Sequence, residues 1–399
     1  MVGRVRESTA RATLKLIMRG WSVGELEARW PDGSTELLVG RTPGDRGHIE
    51  VNNPGALATA LLNDGSIGLG ASYVDGAWNT PDLAGFLTLA SANVDAALGE
   101  KGKTSASSTV RRWWDKRPSF SGSDQIGAIG DHYNLGNEFY AHWLDETMTY
   151  SSAIFEPSDS LQEAQYRKYE RLCGLLELQS GDRVLEIGCG WGGFSEYAAS
   201  RYGVHVTGLT LSEEMATFAK KRLANAGLAD LTDIKLQDFR DERAMYDKVV
   251  SIEMIESVDE TQWGPLFHSI SRAIPPGGIA AMQAITIDER YYDNLIERDD
   301  FIKRFIFPGG ALPTVNVLRQ LAADAGMEWT DASMHGLDYA ATLEQWGERF
   351  EAAWPAISDQ RRDLGDRFRR MWRYYLAYCE AGFRRRRIDG IQCAMRRPV

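Results

Sequence analysis

The chain has 399 residues, of which 43% are hydrophobic and 25% charged, the proportions of an ordinary globular protein. Its formal net charge of −11 argues against nucleic acid as the main partner. The length predicts two domains, and the apolar runs are too short to span a bilayer. The four cysteines form no CxxC pair and no metal-binding motif is found, which indicates reduced thiols in a cytoplasmic protein.

Residues 1–100 predict a small α+β domain without a catalytic constellation. The first 20 residues place arginines beside an apolar stripe at helical spacing, which fits an anionic membrane surface or an ordinary helix packed on its own domain. Alternating residues around the Pro31-Asp32-Gly33-Ser34 turn predict a hairpin of Glu25–Trp30 and Thr35–Val39. Further helices are predicted from Pro54 to Leu62 and from Pro81 to Leu89.

Residues 101–130 have the composition of an interdomain linker, rich in Lys, Ser, Thr, Gly and Arg. In its middle, Arg111-Arg112-Trp113-Trp114 combines basic and aromatic side chains, as is typical of a membrane interface. Docking of this segment on one of the domains accounts for the pattern equally well. The remaining residues, 131–399, are predicted to form the second domain.

The second domain is organised around one glycine-rich stretch. The aliphatic run Val184–Ile187 is followed by a turn with Gly188, Gly190 and Gly192, and then by a helical pattern. This order of strand, tight turn and helix predicts the first unit of a Rossmann-like sheet. Glu186, just before the turn, would repel a phosphate but attract the amino group and sulfonium of S-adenosylmethionine. A methyl donor is therefore favoured over a dinucleotide.

Four more strands are predicted, and their carboxyl ends should meet in one crevice, where open α/β sheets bind ligands. Asp238 and Phe239, after one strand, would meet an adenine by hydrogen bonding and stacking. Glu253 and Glu256 follow another strand and lie near each other if that segment turns helically. The predicted strands are His205–Leu209, ending at Thr210-Leu211-Ser212, Asp233–Leu236, ending at Gln237, Tyr246–Ile252 and Gly278–Ile285.

The C-terminal third departs from the βα alternation. An aromatic-rich insertion, Tyr291–Phe307, precedes a long helical segment, Ser358–Phe383, that carries several tyrosines and arginines. The run Arg384–Arg387 extends this cationic cluster before a final strand, Ile388–Met395. In a net-acidic protein the cluster is a candidate site for an anionic headgroup, although such runs are usually solvated faces.

From Asp131 to Met395 the sequence resembles the cyclopropane fatty acid synthases and the related mycolic acid methyltransferases, S-adenosylmethionine enzymes that methylate the double bond of an acyl chain. The resemblance implies a class I methyltransferase sheet with helical lid insertions. The N-terminal stretch Gly68–Trp78 is similar to the extra domain of the phospholipid-acting members, which implies lipid access and a homodimer. The matching segments are His132-Tyr133, Gly136-Asn137, Phe139, Tyr150-Ser151, Val184–Gly193, Thr210-Leu211-Ser212, Phe305–Pro313, Tyr374-Tyr375-Leu376 and Phe383-Arg384.

The resemblance also implies where the donor and the catalytic base are held. The family's frequent Gln five residues after Thr210 is Met215 here, which changes the side chain at one expected ribose or methionine contact. Family members hold a bicarbonate ion as the base, with residues equivalent to Glu256, Ile285 and Tyr339. The donor-site pattern carries over to Tyr150, Ser151, Gly188, Gly190, Thr210 and Asp238.

Three positions depart from the family's bicarbonate site. Its Cys is Ser152, its His is Gln283 and its Gly is Glu253. The first two changes weaken a bicarbonate site, and the third places a carboxylate beside the reaction centre. We hypothesise that Glu253 replaces the ion as general base or as the anion that stabilises a cation. The alternative is a helix-start carboxylate that interacts with neighbouring amides.

The predicted function is methyl transfer from S-adenosylmethionine to the double bond of unsaturated phospholipid acyl chains, giving a methylene- or methyl-branched chain. A methylene product would need a separate reductase as partner. The predicted location is cytoplasmic and peripheral, on the inner face of the membrane. The alternatives are cyclopropane formation on the same substrate, methylation of a small polar metabolite, and a catalytically inactive donor-binding protein.

Overall fold

The computed structural model describes residues 2–99, 135–297 and 299–399. The predicted linker, with its Arg111–Trp114 motif, and the His132-Tyr133 pair lie outside the described residues. The chain divides into two compact units. The first consists of Met1–Gly130, Arg298–Ile306 and Trp354–Arg385, and the second of Asp131–Glu297, Phe307–Ala353 and Arg386–Val399.

The first unit contains a four-stranded sheet in the order β2-β1-β3-β4. The predicted hairpin is confirmed, because β1 (Val23–Arg29) pairs antiparallel with β2 (Thr35–Val39). The sequence did not predict β3 (Thr42–Val51), which pairs parallel with β1. The first half of β3 is exposed, so it lacks the alternation that marks a half-buried strand. The short β4 covers Trp78–Asn79.

Three helices pack with this sheet: α1 (Val2–Met18), α2 (Pro54–Val74) and α3 (Leu83–Gly99). The second runs well past its predicted end at Leu62 and is kinked at Gly65, where φ is 55°. In α1, Arg11 pairs with Asp32 at 2.8 Å and Lys15 with Glu36 at 2.7 Å. These pairs are those expected of a helix packed on its own domain.

Two later segments belong to the first unit: α10 (Phe301–Phe305) and α13 (Asp366–Arg384). The Tyr374 ring lies 5.6 Å from that of Tyr73 and 4.5 Å from that of Phe301. A β-carbon added at Gly70 would lie 2.4 Å from the Phe301 ring, so only glycine allows this packing. The units therefore differ from the linear division at residue 131, because aromatic residues distant in sequence pack on α2.

Much of the predicted cationic cluster is neutralised within the first unit. Arg370 donates to the carbonyl oxygens of Tyr73 at 2.6 Å and Trp78 at 2.9 Å. Three other arginines meet carboxylates of the same unit, a use of charge that stabilises packing. These pairs are Arg367–Asp75 at 3.1 Å, Arg384–Glu380 at 2.7 Å and Arg385–Asp95 at 3.1 Å.

The second unit is built on a seven-stranded sheet in the order β10-β11-β9-β8-β5-β6-β7. The strands from β5 to β9 are parallel, while β11 and β10 join the β9 edge antiparallel. The chain runs outward from β5 to β7 and returns at β8, so the strand order reverses beside β5. The strands are β5 (Arg183–Ile187), β6 (His205–Thr210), β7 (Thr232–Leu236), β8 (Lys248–Ile252), β9 (Ile279–Ile287), β10 (Glu328–Met334) and β11 (Ile388–Arg396).

Helices cover both faces of this sheet, as parallel strands require. Val184 and Leu185 of β5 point to opposite faces and belong to separate buried apolar clusters. Ser160 caps α5 and forms a capping box with Glu163. The helices are α4 (Asn137–Ala141), α5 (Leu161–Leu175), α6 (Gly193–Tyr202), α7 (Glu213–Asn225), α8 (Trp263–Ala273), α9 (Glu289–Glu297), α11 (Val315–Asp324) and α12 (Gly336–Gln360), whose end enters the first unit.

Among the described helices, none combines the length and apolarity needed to cross a membrane.

Candidate active site

The carboxyl ends of the parallel strands open on a cleft of about 1120 Å³ in the second unit. Residues after β5, β6, β7 and β8 all line it, at the point where the strand order reverses. This is the place at which doubly wound sheets bind their ligands. The sequence-predicted residues that line the cleft are Tyr150, Ser151, Glu186, Gly188, Gly190, Thr210, Leu211, Gln237, Phe239 and Glu253.

Two predicted donor-site residues are not among those that line the cleft. The carboxylate of Asp238 accepts from the Arg240 backbone at 2.8 Å and from its guanidinium at 2.7 Å. These contacts lower the pKa of Asp238. Its hydrogen bond to adenine stays a prediction. Gly192 precedes α6 with φ 82°, and a β-carbon there would lie 3.1 Å from Ala219. Its position indicates a role in helix packing.

The glycine-rich turn forms one wall of the cleft. Gly188 has φ 83° and Gly190 φ 51°, both in the left-handed region that favours glycine. A β-carbon at Gly188 would lie 2.8 Å from Cγ of Met254, which also lines the cleft. The bare backbone therefore allows close approach of a ligand.

Glu186 is buried beside this turn, with 3% of its surface exposed. Ser195 Oγ donates a short hydrogen bond to Glu186 Oε2. Burial raises the pKa of Glu186 from its ordinary value of 4.5 to about 8. A cationic ligand would favour its ionised form. With Gln237 and Phe239 also lining the cleft, this donor set fits S-adenosylmethionine.

Glu253 stands at the end of β8 with φ 49°, an unusual backbone conformation for a residue with a β-carbon. The family pattern has glycine at this position, and the positive φ explains why glycine suits it. The backbone is held by a hydrogen bond from Glu253 N to Gln283 O at 2.8 Å. Strained residues of this kind concentrate at functional sites, where their surroundings hold them in place.

The Glu253 carboxylate accepts hydrogen bonds from three distant parts of the chain. Ser152 N and Gln283 Nε2 donate to Oε1 at 2.9 and 2.8 Å. The hydroxyl of Tyr339 donates to Oε2 at 2.6 Å. Burial raises the pKa of Glu253, and these donors oppose that increase. The contacts differ from those of a carboxylate that only caps its own helical turn.

Glu256 and Ile285 form the other half of this cluster. Glu256 Oε1 accepts a short hydrogen bond from Ile285 N, whereas Oε2 is buried and has no hydrogen-bond partner among the described residues. Burial and the charge of Glu253 raise the pKa of Glu256 to about 8. Glu256 is therefore mostly protonated at neutral pH. The residues that line the cleft include Glu253, while Ser152, Gln283, Ile285, Tyr339 and Glu256 are not among them.

Aromatic rings surround this part of the second unit. The ring of Tyr150 lies 5.3 Å from that of Trp346 and 5.4 Å from that of Tyr140. Trp346 in turn lies 6.3 Å from Tyr339, the donor to Glu253. Such rings stabilise a nearby cation through their negative faces without reacting with it.

Two buried polar residues on α5 that support the site were not predicted from the sequence. Lys168 Nζ donates to Ser151 Oγ at 2.7 Å, and Gln165 Nε2 donates to Ser151 O at 3.0 Å. Both side chains are fully buried. The available signal was their position, because residues three apart share the face that also carries buried Leu161 and Leu172.

The doubly wound sheet, the glycine-rich turn and the buried carboxylate of Glu186 define a class I, S-adenosylmethionine-dependent methyltransferase. Residues 121–393 match the family model described as mycolic acid cyclopropane synthetase. The chain belongs to this family and is a C-methyltransferase, as its sequence resemblance and predicted fold class indicated.

Relatives match over most of the chain. The tuberculostearic acid methyltransferase UfaA1 of Mycobacterium tuberculosis is 38% identical over 86% of this chain and 81% of its own length. The cyclopropane-fatty-acyl-phospholipid synthase of Escherichia coli K12 is 37% identical over 91% and 90%. The solved structure of the M. tuberculosis cyclopropane synthase MmaA2 is 29% identical, with a TM-score of 0.62 over 67% of this chain and 96% of that one. The CmaA1 complex with SAH and CTAB gives the same identity and TM-score over 68% and 98%.

Proposed function

We propose that the protein methylates the double bond of an unsaturated phospholipid acyl chain and yields a methylene- or methyl-branched product. The observation that carries this proposal is the buried Glu253 carboxylate, which lines the donor cleft and is held by three hydrogen bonds. The names of the relatives support the substrate class, since one is a tuberculostearic acid methyltransferase and another a cyclopropane-fatty-acyl-phospholipid synthase.

The cleft residues have distinct roles toward S-adenosylmethionine, which supplies an electrophilic methyl group on its sulfonium. Glu186 holds the cationic amino acid end, and its buried carboxyl group ionises to do so. The backbone at Gly188 and Gly190 approaches the ligand closely. Tyr150, Ser151, Thr210, Leu211, Gln237 and Phe239 complete the lining of this site.

Methyl transfer leaves a positive charge on the substrate. As the alkene electron pair forms the new C–C bond, the C–S bond breaks and the second alkene carbon becomes cationic. The ring of Tyr150, which lines the cleft and packs against Trp346, stabilises the charge. Glu253 then accepts one proton, and the C–H electron pair forms the new double bond. Loss from the new methyl group, after a hydride shift, gives a methylene, and loss from the chain gives a methyl-branched alkene.

Glu253 takes the place of the family's bicarbonate ion in this proposal. A carboxylate is a planar oxyanion of weak basicity, as bicarbonate is. The donors from Ser152, Gln283 and Tyr339 already converge on its two oxygens. No bicarbonate is then needed for the proton to leave.

The substrate suggests how the protein works in the cell. Phospholipid chains lie in a bilayer and the donor is supplied from the cytoplasm, so we propose peripheral action on the inner face of the membrane. The extra N-terminal domain, similar to that of the phospholipid-acting members, supports a homodimer with lipid access. A methylene product would pass to a separate reductase.

The test is to incubate the full-length protein with vesicles of unsaturated phospholipid and donor labelled in its methyl group. Mass spectrometry of the fatty acids before and after mild hydrogenation separates branched alkenes, which gain two hydrogens, from cyclopropanes, which do not. We expect label in a chain that gains hydrogen. Label in a resistant ring would assign cyclopropane formation instead, and unlabelled acyl chains would overturn the lipid substrate.

A further inference from the structure

Lys168 is a fully buried amine for which the proposed reaction has no direct use. It lies on α5 of the second unit and exposes none of its surface. Its hydrogen bond goes to Ser151 Oγ at 2.7 Å, and its Nζ lies 4.7 Å from the centre of the Tyr169 ring. A buried ammonium is costly unless nearby charges and dipoles compensate for it. The site must therefore supply that compensation.

The hydrogen bond of Lys168 acts on the loop that supports Glu253. Ser151 is held from α5 at two points, its hydroxyl by Lys168 and its carbonyl by Gln165. The next residue, Ser152, donates its backbone N–H to Glu253 Oε1 at 2.9 Å. Lys168 and Glu253 thus form hydrogen bonds with two adjacent residues of the same loop.

Carboxylates surround this amine from several elements. Lys168 is attracted by Glu253 after β8, by Asp145 before α5 and by Glu186 in β5. Glu253 in turn is next to Glu256 and Tyr339. Burial lowers the pKa of Lys168 to about 7, and the three carboxylates limit that decrease. Conversely, the Lys168 charge opposes the increase that burial causes in the pKa of Glu253.

We propose that Lys168 is a positioning residue: its ammonium is the counter-charge that favours the ionised form of Glu253, and its hydrogen bond to Ser151 holds that ammonium beside the loop that donates to Glu253. This inference rests on the proposed function of Glu253 as the working carboxylate. It adds that Lys168, which is not among the residues lining the cleft, controls the charge state of Glu253.

Two matched substitutions on α5 separate charge from packing. Lys168→Met removes both the charge and the hydrogen bond to Ser151. Gln165→Met removes an uncharged hydrogen bond to the same residue from the same helix face. A third variant, Lys168→Gln, removes the charge but keeps a donor for the Ser151 hydroxyl. Thermal unfolding of each full-length protein identifies variants that fold.

The readout is an infrared titration of the Glu253 carboxyl group, assigned as the C=O band that Glu253→Gln removes. Loss of a nearby cation disfavours the ionised carboxylate, so its titration midpoint should rise. We expect a rise of about one pH unit or more in Lys168→Met and in Lys168→Gln. In Gln165→Met the midpoint should stay near that of the unchanged protein. The acidic limb of the pH–rate profile should move in parallel.

An unmoved midpoint in both Lys168 variants would overturn the inference. So would recovery of the original midpoint in Lys168→Gln alone, because the hydrogen bond would then account for the effect. A midpoint that rises equally in Gln165→Met would assign the effect to the loop and overturn the role of the charge. The infrared signal does not require turnover, so this result is distinct from the activity of Glu253→Gln, which tests the proposed function.

Discussion

The hydroxyl of Tyr339 donates to Oε2 of Glu253 across 2.6 Å, joining α12 to the end of β8. Burial and the neighbouring carboxylates raise the pKa of Tyr339 well above its ordinary value of 10, so the phenol remains a donor throughout the working pH range. This bond satisfies the carboxylate oxygen that neither Ser152 nor Gln283 reaches. Tyr339 therefore both holds the Glu253 carboxylate in place and favours its ionised form.

Substitution of Tyr339 by Phe should lower the rate of methyl transfer. A hydrogen bond to a charged group contributes about 1.5–3 kcal/mol, so we expect a loss of about 10- to 100-fold in kcat. Removal of the donor also raises the pKa of Glu253, which moves the acidic limb of the pH–rate profile upward. Measuring kcat against pH with labelled donor tests both effects. A wild-type rate and profile in this variant would exclude the hydrogen bond from the reaction.

Substitution of Glu253 separates the carboxylate from an external ion. Glu253→Gln should lose about 10²- to 10⁴-fold in rate, the usual contribution of a general base. Glu253→Gly restores the residue that the left-handed φ of 49° favours and opens space beside the donors. We expect added bicarbonate to raise the rate of the Gly variant in degassed buffer and to leave the Gln variant unchanged. Undiminished transfer by Glu253→Gln would contradict the proposed base.

Glu256 should make stability depend on pH. Its pKa is 4.5 in its ordinary state and about 8 in the folded protein, so the folded state binds more protons between these values. The free energy of unfolding contributed by this group therefore falls as pH rises from about 4.5 to 8. Glu256→Gln removes the titration and should flatten the decline. Chemical denaturation at several pH values measures the slope, and an identical slope in the variant would contradict the raised pKa.

Local patterns predicted one strand of the second unit and the hairpin of the first, because both have local causes. The strand before Gly188 and the Pro31–Ser34 hairpin each depend on residues close in sequence. The family departures also predicted that Ser152, Gln283 and Glu253 would share one place. The structure adds that Ser152 and Gln283 donate directly to the Glu253 carboxylate.

Other features depend on contacts that sequence spacing does not reveal. The packing of Phe301 and Tyr374 on Tyr73 joins segments more than two hundred residues apart in the chain. β10 lacks a clear alternation because most of its residues are exposed. Lysine is usually a surface residue. Only the position of Lys168 on the buried face of α5 indicates its role.

Two glycine substitutions separate an effect on donor binding from an effect of backbone strain alone. Gly188→Ala introduces a β-carbon 2.8 Å from Met254 Cγ in a backbone with φ 83°, within the donor cleft. Gly227→Ala is the matched control, because its φ is 72° but no atom lies within 4 Å of the added carbon. Both should lose about 1–2 kcal/mol of stability from the left-handed conformation.

Only Gly188→Ala should also weaken binding of S-adenosylmethionine, because its methyl group displaces the Met254 side chain, which lines the donor cleft. We expect at least a tenfold increase in the dissociation constant, about 1.4 kcal/mol, measured by isothermal titration calorimetry. Gly227→Ala should bind the donor as the unchanged protein does. Equal donor affinity in the two variants would contradict the assignment of the glycine-rich turn at Gly188 to the wall of the donor cleft.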